Sequence, residues 1–296
     1  MKKIFLILLI VLLNSVHAKE LNIVVTYPYI ESIVKEIGGD RVSVFSLANA
    51  EFDPHTIIPK PSFIAKLRKA DLLIINGAQL EIGWLPQLLK QANNPKIQVG
   101  SGGLLDLSKH VDLIDVPSSI SRAQGDIHPD GNPHFYLDFN NIPKISEAVS
   151  KKLSEIDPQN RSYFEKNNSD FLDKYNHKLK EWTERLKPLK GMRIIEYHKL
   201  YDYIIRRIGM ELISTIEPLP GIPPTSKHIE SLEKMLASNE VKMILQDVYH
   251  SKDAAEFLSK KYNVKMKILP HDVGAVTGAN DIFSLFDEIV RRLTND

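Results

Sequence analysis

Not one of the 296 residues is a cysteine. Disulfides, thiolate metal ligands and thiol nucleophiles are therefore excluded, and any metal must be held by imidazole and carboxylate. Charge of neither sign is in excess. The 38 Lys and Arg stand against 37 Asp and Glu, a balance that argues against nucleic-acid binding and against strong attraction to anionic membranes. Long apolar runs are scarce, and the most prominent, Ile4 to Leu13, is about half the ~20 residues needed to span a bilayer. A Gly-rich phosphate loop is missing, and Gly38-Gly39 and Gly102-Gly103 read as turns.

What is there begins with a leader. Lys2 and Lys3 precede the apolar run and Asn14-Ser15-Val16-His17-Ala18 follows it, which marks residues 1–18 as a secretory signal peptide cleaved after Ala18. With no cysteine at the cleavage site there is no thiol for lipid attachment. The expected product is a soluble protein diffusing in a periplasm. It would keep 278 residues (296 − 18) and 36 basic side chains (38 − 2), a length on the high side for one core. Two lobes are expected.

Short apolar runs alternate with amphipathic stretches. Leu21 to Thr26, Val42 to Leu47, Asp71 to Asn76 and Lys96 to Val99 read as buried strands, with helices over Tyr29 to Ile37, Ser62 to Lys69 and Ile82 to Gln91. These strands are apolar throughout, as in parallel sheets covered on both faces. The rhythm returns after Pro188. Strands are predicted at Arg193 to Tyr197, Glu211 to Ile216, Val241 to Gln246 and Val264 to Leu269, and helices at Leu200 to Ile208, Ser226 to Ala237, Ala254 to Lys261 and Asp281 to Leu293.

Between the halves, Pro158 to Leu186 contains no glycine, and Phe164, Phe171, Tyr175, Leu179, Trp182 and Leu186 share one helical face. One helix of this length would run ~40 Å, the span of a whole domain. Asp157-Pro158 supplies a start and Pro188 with Gly191 a stop. The alternative is a coiled-coil dimerisation helix, but the seam is short for one. The predicted fold is α/β: two parallel-sheet lobes, 19–157 and 188–296, joined by one long backbone helix, 158–187.

Four segments place metal-type ligands beside predicted strand ends: Asp53-Pro54-His55, Gly131-Asn132-Pro133-His134, Glu196-Tyr197-His198 and His271-Asp272. Zinc fingers pack their ligands locally, whereas ligands roughly 60 to 80 residues apart need a finished fold to meet. A preformed site between lobes follows. His55 and His134 each follow a proline, so the imidazole leaves a stiff loop. His198 follows an apolar strand at its carboxyl end, where open α/β sheets place ligand sites.

Taken together, five stretches resemble the zinc and manganese solute-binding proteins of ABC importers, the cluster A-I or ZnuA/TroA-like group. They are Glu51-Phe52-Asp53-Pro54-His55 with Pro59-Lys60-Pro61-Ser62; Asn76-Gly77 with Leu80-Glu81 and Trp84-Leu85; Gly125-Asp126-Ile127-His128-Pro129 with Gly131-Asn132-Pro133-His134 and Leu137-Asp138; Tyr197-His198 with Tyr203 and Gly209; and Glu217-Pro218 with Pro220-Gly221-Ile222-Pro223-Pro224. The resemblance runs along essentially the whole mature chain, its order and spacing being more specific than any one motif. It implies two α/β lobes joined by a backbone helix, and histidine ligands at His55, His134 and His198. It also implies a fourth ligand from the loop after the last strand, where Asp272 lies, with His271 or water as alternatives.

Imidazole-rich, four-coordinate sites suit Zn²⁺, and Mn²⁺ tends to want more oxygen. Zinc is therefore expected as the transported ion, with manganese the alternative if Asp272 binds through both oxygens. The long histidine-rich loop of many zinc members is mostly absent here, leaving His110 and His128, the latter a candidate transient ligand. Asp53, Glu196 and Asp247 are candidates to orient the ligands' far ring nitrogens. Glu81 is expected to be structural, the Pro218 to Pro224 loop to border the cleft, and His177, His228 and His250 to lie on the surface. The reading that results is not an enzyme. It is a monomeric periplasmic receptor that hands a divalent ion to an inner-membrane ABC permease. A secreted zinc hydrolase is the rival, weakened by the want of a His-Glu-x-x-His helix and of an obvious general base. A receptor for a metal chelate or tetrapyrrole would need a larger cleft.

Overall fold

The computed structural model describes residues 20–119, 128–238 and 240–295. The predicted leader, 1–18, and the Gly125-Asp126-Ile127 part of the third stretch lie outside the described residues.

Two four-stranded parallel sheets are built the same way. In the first, β1 (Leu21–Val25) pairs with β2 (Val42–Ser46) and with β3 (Leu72–Ile75), and β3 pairs with β4 (Leu104–Asp106), giving the order β2-β1-β3-β4. In the second, β5 (Arg193–Glu196) lies between β6 (Glu211–Thr215) and β7 (Met243–Gln246), and β8 (Lys265–Ile268) follows β7, giving β6-β5-β7-β8. Each chain path leaves its first strand to one side and returns on the other. That creates a switch point between β1 and β3 and another between β5 and β7, where loops at the strands' carboxyl ends diverge and leave a crevice.

The first lobe's helices, α1 (Pro28–Gly38), α2 (Pro61–Lys69) and α3 (Leu85–Ala92), carry proline in their first turn, where its missing N–H costs nothing. A helix absent from the sequence reading, α4 (Ile142–Ile156), follows the second ligand segment. The second lobe supplies α6 (Asp202–Ile208), α7 (Ser226–Ala237) and α8 (Asp253–Tyr262). The last helix, α9 (Ile282–Thr294), opens with a capping box in which Asp281 and Ser284 satisfy each other's backbone N–H groups.

The long helix α5 (Arg161–Leu186) has 26 residues, about 39 Å at 1.5 Å per residue, after a short 3-10 turn at Pro158–Asn160. Its apolar face is covered by the chain's own α1, α4 and α9. Trp182 is fully buried, and its indole Nε1 donates to Asp287 of α9 at 2.8 Å. The Ile282 N–H at the start of α9 donates to Ser32 Oγ of α1 at 2.9 Å. One core therefore runs from the first lobe through α5 and α9 onto one face of the second sheet, and a smaller cluster, including Ile195, Ile244 and Leu258, covers the other face.

The strand predicted at Lys96 to Val99 is not one. Pro95 has no N–H to donate, Asn94 Oδ1 takes the Lys96 N–H at 3.0 Å, and Gln98 Nε2 folds back to the Asn94 carbonyl at 2.9 Å. This produces a 3-10 turn at Pro95–Ile97, and the fourth ladder forms later, at Leu104–Asp106 against Leu73–Ile75.

Candidate metal centre

His55 lies in the loop beyond β2. Asp53 Oδ1 accepts both its backbone N–H, at 2.9 Å, and its ring Nδ1–H, at 2.7 Å. The Tyr27 hydroxyl pins the same loop by donating to the Pro54 carbonyl at 2.9 Å. Burial opposes the charge of Asp53, but the hydrogen bonds from His55 outweigh it and hold the carboxyl at about 2. With Nδ1 committed as a donor, Nε2 carries the lone pair toward the cleft.

His134 reaches the cleft through Pro133. Asn132 Oδ1 accepts the His134 N–H at 2.9 Å, and Asn76 Nδ2 donates to the Pro133 carbonyl at 3.0 Å. The ring is 1 % exposed, and both of its nitrogens are buried without a hydrogen-bond partner. Burial, then the neighbouring His55, His198 and His128, pushes its pKa well below 6.5. A neutral imidazole with two orphaned nitrogens carries an unmet desolvation cost, which a bound cation would relieve.

His198 follows β5 at the second switch point. Its Nδ1 lies 2.5 Å from Glu217 Oε2, and Glu217 Oε1 accepts the Gly221 N–H at 2.8 Å. The pair fixes the Nδ1–H tautomer and leaves Nε2 free. Glu217 thereby ties the ligand loop after β5 to the proline-rich loop after β6, whose Leu219 and Pro220 line the cleft.

The three rings lie 5.2 to 5.5 Å apart between centroids, and one ligand nitrogen from each falls within 4.8 Å of the others. Tetrahedral ligands ~2.0–2.1 Å from zinc stand ~3.4 Å from one another. Closing the triangle thus requires loop adjustments on the order of 1 Å. Beside the rings is a cavity of about 260 Å³, lined by His128, His134, His198, Asp115, Pro117, Asn132 and Lys199 among others.

Asp272 and His271 lie outside the three-nitrogen group. Asp272 is buried, its Oδ1 accepting the Val273 N–H at 2.6 Å, and burial raises its pKa well above 3.8. Its charge acts on Tyr29 and Tyr136, and the Tyr136 ring stands 6.2 Å from His134. His271 packs edge-on against Tyr249 at 4.7 Å, with burial lowering its pKa to about 4. His128 stacks on His55 at 5.3 Å, and burial, then His55 and His198, lowers it to about 3.

Of the three carboxylates expected to orient ligands, only Asp53 touches one. Glu196 turns inward, accepting the Tyr201 N–H at 3.0 Å with its other oxygen buried and unpartnered, and burial, then Asp202, raises its pKa well above 4.5. Asp247 holds His250 at 2.9 Å. His250 is half-buried beside the site: it stacks on Tyr197 at 4.5 Å and stands 5.8 Å from His198. Glu217 was the missed orienting group. The available signal was its place at the end of β6, the strand beside β5. Glu81 is structural, accepting from Thr26 Oγ1 and from the Asn76 and Gly77 N–H groups. His177 is exposed on α5, and His228 Nε2 lies 2.8 Å from the Thr215 carbonyl.

Comparison with known proteins identifies the family. The model of the ZnuA family, described as zinc-uptake complex component A, periplasmic, matches residues 23–295. The zinc-binding lipoprotein AdcA of Streptococcus pneumoniae (strain ATCC BAA-255 / R6) is 25% identical over 257 residues, 84% of this chain and 50% of its own length. The chain thus spans about half of that relative. The manganese ABC transporter substrate-binding lipoprotein PsaA of Streptococcus mitis is 25% identical over 233 residues, 77% of this chain and 72% of PsaA. A crystal structure of ZnuA superposes with a TM-score of 0.79 at 24% identity, covering 94% of this chain and 99% of that one. The Mn-bound periplasmic metal binding protein from Candidatus Liberibacter asiaticus gives 0.76 at 18% identity, over 93% and 98%. At these identities the structural likeness fixes the fold.

Proposed function

Because the chain belongs to the ZnuA family of periplasmic zinc-uptake components, we propose that it captures Zn²⁺ at His55, His134 and His198 and delivers it to an ABC permease. The observation that carries the reading is the triangle of ligand nitrogens within 4.8 Å, one of them on a fully desolvated imidazole with no other partner. Asp53 and Glu217, bonded to the far nitrogens of two ligands, orient the rings and raise their basicity. Asp272 is the proposed fourth ligand, reaching the ion once its loop shifts. The protein acts in the periplasm, as a monomer, since the apolar seam of α5 is covered within the chain.

Manganese is the second reading, favoured by the PsaA relative and by any bidentate engagement of Asp272. The hydrolase alternative loses ground because the two carboxylates touching the histidines are engaged on ring nitrogens instead of poised over an open position. A tetrapyrrole is too large for a cavity of about 260 Å³. Thermal melts of chelator-stripped protein test the proposal. Saturation at one hundred times the dissociation constant stabilises the fold by roughly 2.7 kcal/mol, so the melting temperature should rise with Zn²⁺, more than with Mn²⁺ at equal concentration. No rise with either ion would sink it.

A further inference from the structure

One amide spans the cleft. Asn132 belongs to the first lobe's ligand loop and is 7% exposed. Its Oδ1 accepts the His134 N–H at 2.9 Å, and its Nδ2 donates to the Lys199 carbonyl at 2.9 Å and to Asp202 Oδ2 at 3.3 Å. The amide orientation follows from the partners, because the His134 N–H needs an acceptor and the Lys199 carbonyl needs a donor. The Asn132 backbone is held too: its N–H donates to the Ile114 carbonyl at 2.8 Å and its carbonyl accepts from the Tyr203 hydroxyl at 2.7 Å.

The consequence lies in the short paths to the ligands. His134 is two residues from Asn132 through the fixed φ of Pro133, and Lys199 is bonded directly to His198. A side chain anchored at both ends thus sets the distance between two imidazoles that come from different lobes. Resting on the metal-receptor reading above, we propose that Asn132 is a positioning residue that fixes the separation of His134 and His198. The ion then meets a pre-spaced pair and does not have to draw the loops together. Arg207 is the contrast: it also joins the lobes, donating to Asp138 at 2.8 Å, but it bonds neither Asn132 nor Lys199.

The test uses the full mature chain with Zn²⁺ and with Co²⁺ as a spectroscopic probe. Asn132→Asp keeps the acceptor for His134 but replaces the donor with an oxygen facing the Lys199 carbonyl and Asp202. Zn²⁺ affinity should fall about 10- to 100-fold, the range typical when a partner that orients a ligand is lost. The loss should lie in the dissociation rate, and the Co²⁺ visible spectrum should change as one imidazole leaves. Arg207→Gln should lower the melting temperature while leaving the dissociation rate and spectrum unchanged. Should Asn132→Asp fail to fold, Asn132→Ser provides the same reading, since its hydroxyl can close the local turn but cannot reach Lys199. Wild-type rates and spectrum in the Asn132 variants, or equal acceleration by Arg207→Gln, overturns the positioning role while leaving the metal site standing. If the wild-type protein itself binds neither ion, the underlying reading fails with it.

Discussion

At the scale of the residue, Glu217 does for His198 what Asp53 does for His55, and each leaves Nε2 as the free donor atom. Glu217→Gln should weaken Zn²⁺ binding by about 10- to 100-fold, measured by competition against a chelator, while Asp247→Asn, acting on His250, should change it little. Equal effects would mean that the Glu217 contact is not an orienting one. His134 contributes differently. Burial keeps it neutral far below 6.5, so it holds no proton for an incoming ion to displace near pH 6. In the metal-free protein the His134 ring resonances should therefore show no titration between about pH 5 and about pH 7 by NMR, and a midpoint at about pH 6 would refute the neutral state.

Glu81 carries a separate pH signature. Burial raises it from 4.5 to about 7, against the opposing hydrogen bonds from Thr26, Asn76 and Gly77. A carboxyl whose folded pKa is raised contributes stability that is fully present below ~4.5 and is lost as pH rises through about 7. Relative to Glu81→Gln, the metal-free wild type should lose roughly 3 kcal/mol between pH 4.5 and pH 8 in urea titrations, from a shift of about 2.5 units at 1.36 kcal/mol each. A difference that stays flat with pH would contradict it. The three histidines that the structure brings together are those the family resemblance implied, with the preceding prolines and the end of β5 as supporting signals. Glu217 and His250 were not legible in the sequence, since an adjacent strand's end and a stack on Tyr197 exist only once β5 is paired with β6 and with β7.

At the scale of the element, apolar runs and proline starts located seven of the eight strands and most helices, because parallel strands buried on both faces read as unbroken hydrophobic stretches. Lys96 to Val99 misled because its apolar pattern matched a strand while its N–H groups were already engaged by Asn94 and the turn. The strut was predicted from one face of aromatics, but its partner α9 was not assigned to it. Phe286 is fully buried, its ring 5.3 Å from Trp182 and 6.1 Å from Phe139. Phe286→Ala should cost about 3–5 kcal/mol, seen as a lower urea midpoint. Since one core joins both lobes, the loss should appear in a single transition; two separated transitions would show that the lobes unfold independently.

At the scale of the whole molecule, the two switch points face each other across a cleft that several independent ties span. The strut α5 and helix α9 join the lobes behind it, Asn132 and Tyr203 join them beside the ligands, and Arg207 grips the buried Asp138 with its closest contact at 2.8 Å. Removing any one tie leaves the rest. Large hinge motion would break several buried hydrogen bonds together, each worth roughly 0.5–1.5 kcal/mol, whereas closing the nitrogen triangle needs only loop shifts on the order of 1 Å. Metal capture should therefore proceed by rearrangement of the loops bearing His55 and Asp272 over a nearly fixed frame. Small-angle scattering checks this. A compact chain of this length has a radius of gyration of about 19 Å, and the chelator-stripped and Zn²⁺-loaded proteins should agree within about 0.5 Å, since loop shifts of that size leave the separation of two lobes essentially unchanged. A contraction of about 1 Å or more on adding Zn²⁺ would require the lobes to swing, and with it the rupture of the Asn132 and Arg207 ties in the free protein.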